Sequence, residues 1–269
     1  MRCPNCGNEV SSRQYTCVVC GIELITERLE EIIPFFKRHE ERWRKPMSLL
    51  ERFKFMIINP SKAFWDITHK PKGNGGGLTF LLSIVLYGFL GMVMYGKMDF
   101  SASVYSSTIA GFFGMFLLFF LIGIVFIGLT WGFSLLAQTI VAKYSLNILP
   151  EWGKQGTILA WSYFPSLIGI AIHLLIISIG LPKVPYTGGG TFGVNLAAHF
   201  AAHNGVFIAA DVVLMGFFFG YIPILQAIGI REIYDKSTTK SLIGSVATGI
   251  VLAIVFITTR TSFGGTLFA

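Results

Sequence analysis

The chain has 269 residues, of which 53% are hydrophobic and only 13% charged, with a net charge of +7 and a mean hydropathy of +0.66. Soluble domains carry about 25% charged residues, so these totals exclude an ordinary soluble globule and point to an integral membrane protein. Thirteen of the 21 Lys and Arg precede residue 78, beside the first long hydrophobic stretch. There they face anionic head groups, so no nucleic-acid partner is expected.

All four cysteines stand at the front, as Cys3-Pro4-Asn5-Cys6 and Cys17-Val18-Val19-Cys20. Two C-x-x-C turns present four thiolates to a tetrahedral metal, and zinc is the usual occupant. Gly7 and Gly21 follow the two pairs and let backbone N–H groups turn toward the sulfurs. A redox pair is the competing reading, but no thioredoxin-like βαβ pattern accompanies it. A closed four-thiolate site leaves no coordination position open, so residues 1–25 read as a structural zinc ribbon that docks a cytosolic protein. Reduced thiols set it on the cytosolic side. The chain opens on this motif instead of a basic stretch and an apolar run, so no cleavable leader is expected.

Thr26–Lys45 reads as a solvated helical spacer interrupted by Pro34, acidic at Glu27, Glu30 and Glu31, then basic at Arg42, Arg44 and Lys45. Met47–Thr68 is amphipathic: Leu49, Leu50, Phe53, Met56 and Ile57 share one arc, with Ser48, Glu51 and Arg52 opposite. Asn59-Pro60 predicts an N-cap and a new helix through Ala63, Phe64, Trp65 and Ile67. Such arcs, flanked by Arg52, Lys54 and Lys62, suit helices lying in the head-group plane of a lipid bilayer. Leu49, Phe53, Phe64 and Trp65 are the expected interface contacts, and packing on another domain is the alternative. A glycine-rich link, residues 71–77, leads into the membrane.

Five segments are long enough to cross a bilayer core of about 30 Å, which takes about 20 helical residues. They lie near Leu78–Gly96, Ile109–Ala142, Thr157–Leu181, Val206–Ile230 and Leu242–Thr259. The second is too long for one span and too short for two, so it reads as one tilted helix. With the amino terminus inside, the cytoplasmic segments hold 18 Lys and Arg; the opposite side holds Lys97, Lys183 and Arg260. That asymmetry predicts five crossings, with the carboxyl terminus outside.

Ionisable groups at membrane depth are costly and carry a functional hypothesis. His173 and Asp211 fall in the outer halves of the third and fourth spans, and His199 and His203 are one helical turn apart. Together they outline an outward-facing proton or metal site, and hence an alternative function as a transporter or channel. The bland reading is a His173–Asp211 hydrogen bond with two wet histidines. The H-E-x-x-H pattern is absent, and no nucleophile–base set is visible, so the chain reads as non-enzymatic. Gly188–Gly193 lacks the lysine of a phosphate loop. Gly128-x-x-x-Gly132 and Gly216-x-x-x-Gly220 are small-residue faces for packing within the bundle, or between copies in a homo-oligomer. Pro165 and Pro223 predict kinks, with Ser162 bonding a freed carbonyl.

Two stretches carry a family resemblance: Ile58-Asn-Pro-Ser-Lys-Ala-Phe-Trp-Asp-Ile67 before the first span, and Trp161-Ser-Tyr-Phe-Pro165 inside the third. With five spans and a short basic loop before the last, residues 47–262 resemble the YIP family, the Ypt/Rab-interacting multispan proteins and their prokaryotic relatives. The cysteine module resembles zinc ribbons that open many prokaryotic membrane proteins. The resemblance implies a prokaryotic cell-membrane protein with a helical domain. Its eukaryotic members are implicated in vesicle traffic, curved membranes and small-GTPase binding, but this chain lacks their long acidic amino-terminal region. The fold expected is therefore all-α: five transmembrane helices, interfacial amphipathic helices and a four-cysteine zinc ribbon.

Overall fold

The structure, a computed structural model, describes residues 1–12, 14–38, 45–70, 75–99, 108–144, 146–185 and 203–267. It is mostly helical. In chain order come α1 (Arg28–Ile32), a 3₁₀ turn (Pro34–Phe36), α2 (Leu49–Ile58), α3 (Pro60–His69) and α4 (Gly75–Gly96). Then follow β1 (Met98–Asp99), α5 (Ile109–Tyr144), α6 (Trp152–Ser162), α7 (Phe164–Gly180) and β2 (Val184–Pro185). The last are α8 (Asn204–Met215), a π-helical turn (Gly216–Tyr221), α9 (Ile222–Tyr234) and α10 (Thr238–Leu267).

Among the described residues, four helical runs are long and apolar enough to cross a membrane: Gly75–Gly96, Ile109–Tyr144, Trp152–Gly180 and Gly205–Tyr234. Helical hydrogen bonding satisfies most of their backbone internally, which is what a hydrocarbon environment demands. The second is one continuous helix of 36 residues, as its length required. The third breaks at Tyr163, ahead of Pro165, which has no N–H to give. Ser162 does not serve the carbonyl this proline frees; its hydroxyl donates to Ile158 O at 2.7 Å. In the fourth, the wide turn Gly216–Tyr221 precedes Pro223, the kind of departure expected where a helix must absorb a missing donor.

The chain divides into two compact units. The first joins Met1–Gly77, Ser134–Phe164 and Tyr221–Gly249. Its core gathers Phe36, Met56, Ala63, Phe64, Ile67, Trp161, Leu225 and Ile228. Phe64 is fully buried against Gly229, where an added Cβ would meet Ile158 at 2.8 Å and the Phe64 ring at 2.9 Å. Only glycine lets α3 approach α9 this closely. Asn59 caps α3 as expected, accepting from Lys62 N at 3.1 Å. A capping box that the sequence reading did not single out starts α2: Ser48 Oγ accepts from Glu51 N, and the Glu51 carboxylate accepts from Ser48 N at 2.7 Å.

The second unit joins Leu78–Phe133, Pro165–Gly220 and Ile250–Ala269. Here α4 and α5 meet at glycines: a Cβ on Gly91 would lie 2.2 Å from Met115 O, and one on Gly111 2.1 Å from the Tyr95 hydroxyl. Met94, Ile177, Leu181 and Ala210 form a small core. β1 and β2 pair in parallel, Met98 with Val184 and Asp99 with Pro185. The two G-x-x-x-G faces do not pack in the bundle as expected: among the described residues, a Cβ on Gly128, Gly132, Gly216 or Gly220 would have nothing within 4 Å.

Candidate metal centre and the charged network behind it

The amino-terminal module consists of two copies of one turn. Cys3 N donates to Asn8 O at 2.8 Å, and Cys17 N donates to Ile22 O at 2.9 Å. Gly7 N closes back on Cys3 O and Gly21 N on Cys17 O, at 2.9 and 2.7 Å. Both glycines need φ values, +72° and +76°, that L residues rarely adopt. Short antiparallel bridges, Arg2 with Glu9 and Thr16 with Glu23, close each hairpin. Val10 and the buried Cys3 and Cys17 form a miniature core against Cys20, Ile22 and Leu24.

This brings the four sulfurs together. Cys3 Sγ lies 3.4 Å from Cys20 Sγ and Cys6 Sγ 3.7 Å from Cys17 Sγ, and all four are within 4.8 Å of one another. A tetrahedral ion with sulfur bonds of about 2.3 Å sets its ligands about 3.8 Å apart, so the residues fit a metal ion. Four soft thiolates suit zinc or an iron–sulfur centre over hard cations. Asn8 Nδ2 donates to Cys6 Sγ at 3.4 Å, a neutral donor that partly offsets thiolate charge. The Ile22 amide, aided by neighbouring thiols against burial, holds Cys20 down at about 6. The Cys6 amide lowers Cys3, but burial and the Cys20 and Cys6 thiols push it up to about 11. Cys3 and Cys20 therefore hold their protons unequally, and a bound cation would displace them.

No family model matches the chain, and no curated protein or solved structure matches it.

The cysteine module does not stand alone. Tyr15 N and Thr16 Oγ1 both donate to the Asp235 carboxylate, at 3.1 and 2.9 Å. Asp235 ends α9 in the left-handed region, φ 49°, a conformation that short polar side chains tolerate. Arg38 reaches Asp235 at 3.5 Å and Glu30 at 3.2 Å, and lies over the Tyr15 ring, 4.7 Å from its centroid. Behind these, Arg231 is fully buried. It ion-pairs with Glu30 at 3.3 Å and Glu232 at 3.1 Å, and donates to Phe36 O, Lys37 O, Ser61 Oγ and Thr238 Oγ1. Thr238 Oγ1 in turn donates to Glu30. Glu27 accepts from Thr239 N and Oγ1 at 2.9 and 2.8 Å. Burial opposes its ionisation, but the Ser237 and Thr239 donors outweigh it and hold its carboxyl below the usual carboxylate range.

The expectation of a solvated spacer is corrected here: Glu30 and Arg38 are buried, each at 3% exposure, because each partners Arg231 or Asp235. Residues 39–44 lie outside the described chain. Arg231 is likewise no loop cation, since α9 runs on to Tyr234. Arg52, expected on a polar face, is 2% exposed. It holds Asp66 at 2.8 Å and donates to Lys70 O at 2.6 Å, tying α2 to α3. An arginine in one amphipathic helix and a carboxylate in the next were the available signal.

The expected interface contacts divide. Leu49 is 39% exposed. Phe53 is half-buried and stacks on Phe164 at 4.4 Å, Trp65 stacks on His69, and Phe64 is interior. The outward side of α2 carries Leu50 at 78%, Ile58 at 63% and Ile57 at 43% exposure instead, with exposed Lys54 among them. His173 and Asp211 do meet, Nε2 to Oδ1 at 3.4 Å. His203 is the N-cap residue of α8, and His199 lies outside the described residues.

Proposed function

We propose that this chain is a non-enzymatic, five-span membrane protein of YIP type, which grips one leaflet and recruits a cytosolic partner through an amino-terminal zinc ribbon. The contact of Tyr15 and Thr16 with Asp235 carries the topology. Residues that hydrogen-bond lie on one side of a membrane, which requires an even number of crossings between them. The four apolar helical runs supply that number, and α10, 30 residues long, is the fifth crossing. Zinc supplies no chemistry beyond holding four thiolates, because no coordination position stays open. The exposed knuckle tip, Val18 and Val19, is the surface offered to a partner. The His173–Asp211 pair is read as a buried structural hydrogen bond.

The outward side of α2 supports the leaflet grip, since Leu50, Ile57 and Ile58 would sit ~5–10 Å into the boundary of head groups and acyl chains. The test is a Leu50→Trp variant reconstituted in vesicles whose acyl chains are brominated near the head group. The added indole is expected to be quenched strongly relative to unbrominated vesicles. Emission that ignores the bromine would remove the leaflet contact.

A further inference from the structure

The sulfur-ligated module and the α9–α10 turn share one carboxylate. Asp235 accepts from Tyr15 N and Thr16 Oγ1, and Thr16 directly precedes the ligand Cys17. Tyr15 and Thr16 also build the second hairpin, through Leu24 N to Tyr15 O at 2.8 Å and the Thr16–Glu23 bridge. Whatever orders that hairpin orders the two donors that Asp235 receives. Beyond Asp235, Lys236 O accepts from Arg38 and Thr239 holds Glu27, so the same side of the turn is closed by the segment that follows the module.

We propose that metal occupancy of the four cysteines is thermodynamically coupled to the conformation of the α9–α10 turn through Asp235, so that the head of the chain is a metal-responsive clasp on its own membrane domain. This rests on the reading that the cysteines hold a metal. Coupling is reciprocal: the metal, by ordering Tyr15 and Thr16, clasps the turn, and the turn, by holding them, raises metal affinity by the same factor. Loss of the metal releases Tyr15 and Thr16 from Asp235, which keeps Arg38, and the hold of the cysteine module on the α9–α10 turn loosens. The clasp uses the flank of the hairpin and leaves the Val18–Val19 tip outward, so a partner and the turn need not compete.

Zinc affinity of the full-length protein in detergent, measured against a competing chromophoric chelator, tests this. Asp235→Gly removes both acceptor oxygens while keeping a residue that adopts the left-handed region freely. Thr16→Val removes one donor from the other side. Each is expected to weaken zinc binding about tenfold, and the double variant little more than either alone. Trypsin cleavage at Lys236 and Lys240 is expected to quicken on chelation in the parent chain, and to be quick already in zinc-loaded Asp235→Gly. Zinc affinity unchanged in both variants, or cleavage indifferent to chelation, overturns the coupling while leaving the metal centre intact. A parent chain that binds no zinc removes the metal reading itself, and the clasp with it.

Discussion

Replacing Arg231 by methionine is expected to destabilise the first unit by about 3–5 kcal/mol, the cost of breaking a buried ion network by removing its central cation. Glu30 and Glu232 both pair with this one guanidinium. Its other donors satisfy two backbone carbonyls and two hydroxyls from the 3₁₀ turn, the residue after it, α3 and α10. Five planar donors in a fixed fork make that possible, and an ammonium cannot copy it. Arg231→Lys is therefore expected to recover little of the loss. Thermal unfolding in detergent, followed for both variants, reads the effect. A midpoint for Arg231→Met within a degree or two of the parent would mean that the network contributes little to stability.

The second large effect is at the sulfurs. Cys3→Ser with Cys17→Ser takes away the two most buried ligands, one from each hairpin. Structural zinc contributes about 10–16 kcal/mol in small modules, and without it they unfold. The hydrophobic contribution of Val10, Ile22 and Leu24 is too small to hold two hairpins by itself. Metal analysis of the purified parent is expected to give close to one zinc per chain, and the double variant close to none, with residues 1–24 becoming sensitive to protease. Because the ligands bind as thiolates, occupancy is also expected to fall as pH drops. A double variant that keeps its metal would refute the assignment of these ligands.

The cysteine module was legible because its signal is local. Two C-x-x-C-Gly turns dictate their own hydrogen bonds and their own positive φ, and the structure repeats one hairpin twice. Four of the five expected apolar spans were legible for the same reason, down to the single long α5. What escaped lies between distant residues. Arg231 and Glu30 are 201 residues apart, and a charge count treats both as solvated. The sign of Arg231 suited a cytoplasmic loop, so nothing in the pattern asked for a buried partner. In α2 apolar residues occupy more than one arc. Periodicity identified a helix with an apolar side, but not that Met56 and Arg52 would turn inward while Leu50 and Ile58 faced out. Phe64 was read as a membrane contact because the sequence could not show Gly229 opening a place for it.

Membrane-impermeant labelling of epitope tags tests the five-crossing arrangement most directly, with one tag before Met1, one in the α9–α10 turn and one after Ala269. The amino-terminal and turn tags are predicted to be sheltered together in intact cells, with the carboxyl-terminal tag alone reachable from outside. Finding both chain ends in the same compartment would contradict the arrangement.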